Sequence, residues 1–480
     1  MNRRMIIHII GQIVKLEALM LLAPLVVSLI YRDGDTVALA ITVLIALAVG
    51  YGMTLLSRTR DASIYAQEGF IIVAGAWIIM SAIGALPFVI SGEIPSYIDA
   101  FFETVSGFTT TGASILRDVE AMSHGLAFWR SFTHWSGGMG ILVLVMAIVP
   151  TAGGRSIHIM RAEVPGPQVG KLVPRIRDTA KLLYLIYIAM TVLEIVMLLC
   201  GGMPLFESMV HAFGTAGTGG FGVKADSIAG YNAYLQWVIA VFMMLFGVNF
   251  NLYYLMIIRR FRSVFKSGEL WVYLGIAAAS AAVITVNIYP MYETLSETIR
   301  TAFFQVSSVM TTTGFATADF NAWPALSKTI LFLLMFIGAC AGSTGGGLKV
   351  SRVMLLFKTI RAELRRMLHP RSVGVVRLEG KVVPERTMDG VKIYFALYMV
   401  IFAAAFLFVS LDGFDLETNI SAVTACFNNI GPGFAGVGPT ANYADYGWFS
   451  KLVLSASMLL GRLEIYPLLL AFTPSTWTKK

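Results

Sequence analysis

The sequence predicts an all-α polytopic membrane protein: about ten transmembrane helices, with four helix–pore-loop–helix repeats around one pseudo-fourfold ion pathway. Three observations predict it. The chain is 57% hydrophobic and only 13% charged, where a soluble domain carries about 25% charged residues. Its mean hydropathy is +0.74, and apolar stretches near 20 residues recur throughout, long enough to cross a hydrocarbon core of about 30 Å. A Thr/Gly-rich knot returns four times, each time between two such stretches.

The net charge of +8 would suit a nucleic acid if it formed one patch. The positive residues instead sit between the apolar segments, as juxtamembrane charges that set topology do, and no nucleic-acid partner is expected. Cys200, Cys340 and Cys426 all fall in apolar segments, are odd in number and lack metal-ligand spacing, so no disulfide framework is expected. Arg3 and Arg4 precede an apolar run to about Tyr31, too long for a signal-peptide core and without a cleavage site. It reads as an uncleaved first helix.

Two spans come first, near 10–31 and 36–57. A cycle then repeats four times: a spanning helix, a short amphipathic piece, a Thr/Gly knot and a second spanning helix. The first helices lie near 70–91, 181–201, 270–290 and 391–411; the second lie near 126–149, 234–258, 325–357 and 448–472. The organisation is therefore 1–60, two extra N-terminal helices; 61–165, repeat 1; 166–265, repeat 2; 266–375, repeat 3; and 376–480, repeat 4. The connections 151–182, 259–266 and 349–392 are rich in Lys and Arg, whereas those holding the knots carry Asp99, Glu103, Asp118, Glu207, Asp226, Glu297, Asp415 and Asp445. Basic loops stay in the cytoplasm, so the knots open outward and both termini are expected to be cytoplasmic.

The repeat is visible in the residues. Ala100-Phe101-Phe102-Glu103-Thr104-Val105-Ser106-Gly107-Phe108-Thr109-Thr110-Thr111-Gly112 and Ala302-Phe303-Phe304-Gln305-Val306-Ser307-Ser308-Val309-Met310-Thr311-Thr312-Thr313-Gly314 are identical at eight of thirteen positions. Weaker copies, Gly217-Thr218-Gly219-Gly220-Phe221 and Asn429-Ile430-Gly431-Pro432-Gly433-Phe434, fall where the cycle demands them. Gly112, Gly219, Gly314 and Gly431 are spaced near a hundred residues apart.

A dehydrated alkali cation needs oxygens to replace its water, and rings of backbone carbonyls supply them in K⁺ filters. Carbonyls converge on an axis only where the backbone takes conformations closed to most L-residues, and Gly lifts that restriction. Thr hydroxyls add further oxygens, and a preceding short helix points its negative end at the ion. Thr110, Thr111, Gly112, Thr218, Gly219, Thr312, Thr313, Gly314, Asn429, Ile430 and Gly431 are thus the candidate cation-binding residues. The alternative for any one knot is a glycine for close helix packing or a simple turn.

Two motifs mislead. Gly431-Pro432-Gly433-Phe434-Ala435-Gly436 spells a dinucleotide fingerprint but lacks a preceding strand and a βαβ unit. Gly342-Ser343-Thr344-Gly345-Gly346-Gly347-Leu348-Lys349 resembles a phosphate loop, but Leu348 occupies the Lys position. That second run still carries information. Consecutive Gly and Ser do not hold a helix, and non-helical backbone inside a bilayer must line a cavity or be buried in protein. Residues 340–348 read as a flexible intramembrane loop below the knots, too Gly-rich to pack rigidly, and hence a gate; a kink filled by a neighbour is the alternative. Arg462 is the one charge deep in the last span, where it costs about 2.5–3.5 kcal/mol and faces a cavity or a partner. The alternative is a structural contact with Glu464, two residues on, or with backbone carbonyls; positions i and i+2 do not meet on a helix, and the reading favoured here is a charge near the pore axis that repels cations and biases the gate. The gate residues are therefore Gly342, Ser343, Thr344, Gly345, Gly346, Gly347 and Arg462.

The fourfold cycle, the Thr-Thr-Gly knots, Asn428-Asn429-Ile430-Gly431-Pro432-Gly433, the Gly342–Gly347 loop and Gly461-Arg462-Leu463-Glu464 together resemble the Trk/Ktr/HKT superfamily of K⁺ transporters. With two extra N-terminal spans the match is nearest the bacterial TrkH/TrkG branch, over essentially the whole chain. The resemblance implies K⁺ uptake across the bacterial cytoplasmic membrane by a lipid-embedded homodimer with one pore per protomer. It also implies a cytosolic TrkA-type partner that senses a nucleotide, ATP/ADP or NAD, with no cofactor in this chain and K⁺ as substrate. Gly at all four filters goes with K⁺ preference, and Ser in the first with Na⁺.

Two rivals are distinguishable. A Na⁺-coupled solute symporter builds its site from two discontinuous helices in related halves, not from four outward knots. A membrane-embedded enzyme needs clustered His, Asp or Glu within the spans. His134 lies there without neighbouring carboxylates, which suits packing or hydrogen bonding, and no enzyme activity is expected.

Overall fold

The computed structural model describes residues 1–57, 66–140, 176–370 and 375–477. Most of the basic 151–182 connection and the stretch 141–149 of the first repeat lie outside the described residues.

The N-terminal pair is built first. Asn2 accepts the Met5 N–H (3.1 Å) and starts the helix Arg3–Met20, which continues as Leu22–Tyr31. Left-handed Arg32 ends it (φ 59°), and Thr36–Leu56 returns. The two helices approach through glycines. A Cβ on Gly11 would lie 2.8 Å from Met53 Cβ, and one on Gly50 would lie 2.7 Å from Lys15 Cγ. Without a hydrophobic force between helices in lipid, such small-residue contacts supply the packing. The turn between them, with Asp33 and Asp35, then meets the first repeat. The Asp33 carboxylate accepts the His124 N–H (2.7 Å) and that of Asp35 accepts the Ser123 hydroxyl (2.7 Å). Both satisfy the positive N-terminus of the helix His124–Gly138.

The four first helices appear as expected: Ala66–Gly84 extended by Leu86–Ser91, Ile176–Cys200, Gly268–Ile288 and Glu385–Val409. Between each and its successor lies a short helix, Tyr97–Phe108, Leu205–Gly217, Leu295–Met310 or Leu416–Phe427. Their N-caps follow local chemistry. Ser96, Thr294 and Asp415 accept the N–H three residues on, which fixes where three of the four begin.

The second helices differ from expectation. Unbroken spans over 234–258 and 448–472 are replaced by broken ones, and the interruption expected within 325–357 is present. Ala233–Phe246 bends by 91° into Phe250–Ile257, and Trp448–Arg462 bends by 120° into Tyr466–Phe472. Ala325–Ile337 is separated from Val350–Leu368 by a non-helical segment. Local residues cause the bends. Asn249 accepts the Asn251 N–H (2.9 Å) and so starts a new helix; Glu464 and Ile465 take positive φ (56° and 66°) just before Pro467. Among the described residues, six helices are long and apolar enough to span alone, or up to eight if each bent pair counts as one span. The 349–392 connection also holds a two-stranded hairpin, Arg377–Leu378 with Lys381–Val382, unforeseen from the sequence.

The glycine contact gives a stability prediction. Replacing Gly50 with Leu should cost about 1–3 kcal/mol by overpacking and lower the melting temperature of the purified protein in detergent. Gly52→Leu should leave it unchanged, since nothing lies within 4 Å of a Cβ at Gly52.

Candidate functional site

The four short helices end in one backbone pattern. The N–H groups of Thr111, Gly219, Thr313 and Ile430 donate to the carbonyls of Ser106, Gly214, Ser308 and Ala425, at 2.9, 2.8, 2.8 and 2.9 Å. One residue earlier, Thr110, Thr218, Thr312 and Asn429 donate to Gly107, Thr215, Val309 and Cys426. This paired closure ends a helix with a left-handed residue, and the four residues have φ of 56°, 58°, 61° and 57°. Gly or Asn is usual there; three β-branched Thr residues at positive φ are outliers, a kind of strain that clusters at functional sites. Two positions on, Gly112, Gly220, Gly314 and Gly431 again have positive φ (79°, 80°, 87° and 97°).

These turns close a ring. A Cβ on Gly112 would overlap the Gly219 carbonyl, one on Gly220 that of Thr313, and one on Gly314 that of Ile430. A Cβ on Gly431 would lie 2.7 Å from the Thr111 carbonyl oxygen and complete the cycle. Each loop thus presses a carbonyl against the glycine of the loop before it, and the four carbonyls of Thr111, Gly219, Thr313 and Ile430 belong to one set. The register differs from the sequence reading at the second repeat. Gly219 stands where Thr111, Thr313 and Ile430 stand, and Gly220 is the counterpart of Gly112, Gly314 and Gly431. The matching pairs Gly220-Phe221 and Gly314-Phe315 carried that signal.

The segment 338–349 packs directly against two of these loops. The Gly346 N–H donates to Thr312 Oγ1 (2.6 Å) and the Gly347 N–H to the Asn428 carbonyl (3.1 Å). The Cys340 N–H donates to the Gly247 carbonyl, and the Gly342 carbonyl accepts the Phe250 N–H, each at 3.0 Å. The buried Lys349 ammonium donates to the Gly345 carbonyl. The segment is therefore firmly held in this structure, contrary to the loose packing its glycines suggested. Their missing side chains admit neighbouring backbone: a Cβ on Gly346 would overlap the Asn428 carbonyl. Arg462 donates to the Thr344 carbonyl (2.7 Å) and to the carbonyls of Gly137 and Gly138 (2.6 Å each). It joins the loop to the end of the His124–Gly138 helix. Glu464 instead pairs with Arg352 at 2.6 Å, so the two neighbours do not bond locally.

Comparison with known proteins agrees with this arrangement. The sequence profile of TrkH, cation transport protein, matches residues 36–274 and 269–479. The chain belongs to the TrkH family. It is 38% identical to the Trk system potassium uptake protein TrkH of Salmonella typhimurium, over 99% of this chain and all of that one. It is 35% identical to the Escherichia coli Trk system potassium uptake protein TrkG, over 99% and 98%. Among solved structures, that of the potassium transporter TrkH from Vibrio parahaemolyticus superposes with a TM-score of 0.89 at 34% identity and covers both chains fully. As a TrkH-family chain with several apolar spans, it is a multi-pass membrane protein.

Within this TrkH-family frame the loops are stitched to one another. Thr109 and Thr311 each donate to the carbonyl one turn back and share a bond with Thr111 and Thr313 (2.8 Å in both). Asn429 Nδ2 donates to Thr111 Oγ1 (2.9 Å) and the Met458 carbonyl (3.0 Å). Tyr443 donates to the Gly431 carbonyl at 2.8 Å. His134 bonds the Gly107 carbonyl through Nδ1 (2.7 Å), and its ring fills the space that a side chain on Gly219 would need. The sequence reading missed Arg130. Its guanidinium is buried against Glu103 (2.6 Å), lies 3.5 Å from the Phe221 ring centroid and donates to the Gly222 carbonyl (3.3 Å). Glu103 in turn accepts the Ile115 N–H at 2.9 Å. The pair braces loops 1 and 2 together; an Arg inside an apolar stretch, a turn from His134, was its signal.

Gly220→Ala should cost about 1–3 kcal/mol in backbone strain and displace the Thr313 carbonyl. We expect it to lower the preference for Rb⁺ over Na⁺ in uptake into proteoliposomes. Gly222→Ala should keep uptake near wild type, because its Cβ would make only ordinary contact, 3.4 Å from His211 Nε2.

Proposed function

We propose that this chain is the ion-conducting membrane subunit of a K⁺ uptake system in the bacterial cytoplasmic membrane. The ring of carbonyls from Thr111, Gly219, Thr313 and Ile430, each closed against a positive-φ glycine, carries the reading. A ring of four backbone carbonyls can replace the hydration shell of an alkali cation. The negative C-terminal ends of the four short helices add to the attraction. The potassium-uptake names of the relatives supply the ion. A Na⁺-coupled symporter with broken helices accounts less well for four equivalent loops.

Below the ring, the 340–348 loop and Arg462 act as the gate. Arg462 repels a cation strongly in a low-dielectric setting and holds the loop by the Thr344 carbonyl. Acidic residues on the knot side draw cations in, and the basic connections face the cytoplasm with both termini. The protein works as a homodimer with a TrkA-type regulatory partner that senses ATP/ADP or NAD. The basic inner connections and the Trk-system names of the relatives support that assembly, which co-purification with such a protein from the same cell tests.

Two outcomes follow. Gly112→Ser or Gly314→Ser should raise Na⁺ permeation relative to K⁺, since a side chain there displaces a ring carbonyl; selectivity unchanged in both variants would refute the shared filter. Arg462→Ala removes charge-assisted hydrogen bonds of about 1.5–3 kcal/mol each. It should raise K⁺ flux about tenfold or more with the K⁺/Na⁺ preference retained; lower flux from folded protein would mean that Arg462 is not part of the gate.

A further inference from the structure

We propose that Glu269 is the positioning residue of the intramembrane loop, fixing its shape by holding both of its ends on one carboxylate oxygen. The inference rests on reading that loop as the gate. Glu269 stands in the first turn of Gly268–Ile288 and is buried. Its Oε1 accepts the Ala341 N–H at 2.8 Å and the Ser351 N–H at 3.1 Å. Ala341 is where the loop begins, and Ser351 lies in the first turn of Val350–Leu368, the helix that leaves it. The ten-residue step between those two amides contains the whole Gly342–Gly347 run and Lys349, itself at φ 75°.

The chemistry suits a clamp. A buried carboxylate needs donors to replace its water, and the Ser351 N–H belongs to a helix N-terminus whose amides have no partner within the helix. The carboxylate is thus favoured by the helix dipole, and the helix start is pinned to the loop start. Three charged side chains then divide the work. Arg462 holds the Thr344 carbonyl and Lys349 the Gly345 carbonyl, both mid-loop, while Glu269 alone of the three spans the loop's two ends. The clamp is seated on a fixed turn: two residues earlier, the Ser267 hydroxyl donates to Glu379 Oε1 of the 377–382 hairpin at 2.9 Å. A loop pinned at both ends and twice in its middle opens only when one pin lets go.

The test uses the full-length purified chain in proteoliposomes, with Rb⁺ uptake as one readout. The other is the labelling rate of Ser343→Cys by a membrane-impermeant thiol reagent in a Cys200→Ser background; Ser343 is buried at rest. Glu269→Ala removes two charge-assisted hydrogen bonds, so both uptake and labelling should rise about tenfold. The Rb⁺/Na⁺ preference should stay unchanged. Glu269→Gln keeps an acceptor oxygen at the same reach and should return both readouts close to wild type. Glu269→Asp keeps the charge but is one methylene short of holding both amides; it should shift both readouts in the same direction by less, and decides the matter if the Ala variant does not fold. Wild-type uptake and labelling in folded Ala or Asp variants, or a Gln variant as altered as Ala, would overturn the proposal. Arg462→Ala measured in parallel separates the two ideas. Raised flux there with unchanged Glu269 variants discards the clamp alone, and unchanged flux in both discards the gate.

Discussion

The structure depends on a backbone approach that only glycine permits. Each of four carbonyls sits where the Cβ of the neighbouring loop's glycine would be, so the loops close into a ring without side chains between them. A left-handed residue two positions earlier turns the chain out of its short helix and presents that carbonyl. Strain at Thr110, Thr218 and Thr312 is held by what surrounds them. The braces are the Thr109–Thr111 and Thr311–Thr313 bonds, the Asn429 bridge to loop 1, and the Arg130–Glu103 pair behind loops 1 and 2.

The repeat itself was legible because its physics is local. The N-caps Ser96, Thr294 and Asp415, the short amphipathic helix and the closing Gly turn are set within about twenty residues and survive as a pattern. What was not legible depends on contacts distant in sequence. The second-repeat register slipped by one because Gly219 and Gly220 are alike in sequence. The Phe that follows Gly220, as Phe315 follows Gly314, was the local cue; the distant neighbours decide it, since a Cβ on Gly219 would meet the His134 ring and one on Gly220 the Thr313 carbonyl. The breaks at Asn249 and at Glu464–Ile465 lie in stretches apolar enough to read as continuous spans. Arg130 was passed over because its partner Glu103 was counted among the outer acidic charges.

The glycine-rich 338–349 segment shows how composition alone misleads. Its glycines were read as freedom; in the fold they are clearance, letting the chain run between Thr312, Asn428 and Gly247 with its N–H groups and carbonyls paired. The same segment bonds the ring above and Arg462 below. Removing most of it would therefore disturb loops 3 and 4 as well as the passage beneath them. A single substitution at Arg462 separates them more cleanly, because its guanidinium bonds the carbonyls of Thr344, Gly137 and Gly138.

The most direct test of the ring is to locate the ion. Crystals of the protein grown in Rb⁺, with diffraction recorded at the Rb absorption edge, should show an anomalous peak on the axis between the carbonyl oxygens of Thr111, Gly219, Thr313 and Ile430. The same peak should vanish when Rb⁺ is exchanged for Na⁺. A peak bound elsewhere in the protein, or none between those four oxygens at saturating Rb⁺, would contradict the account.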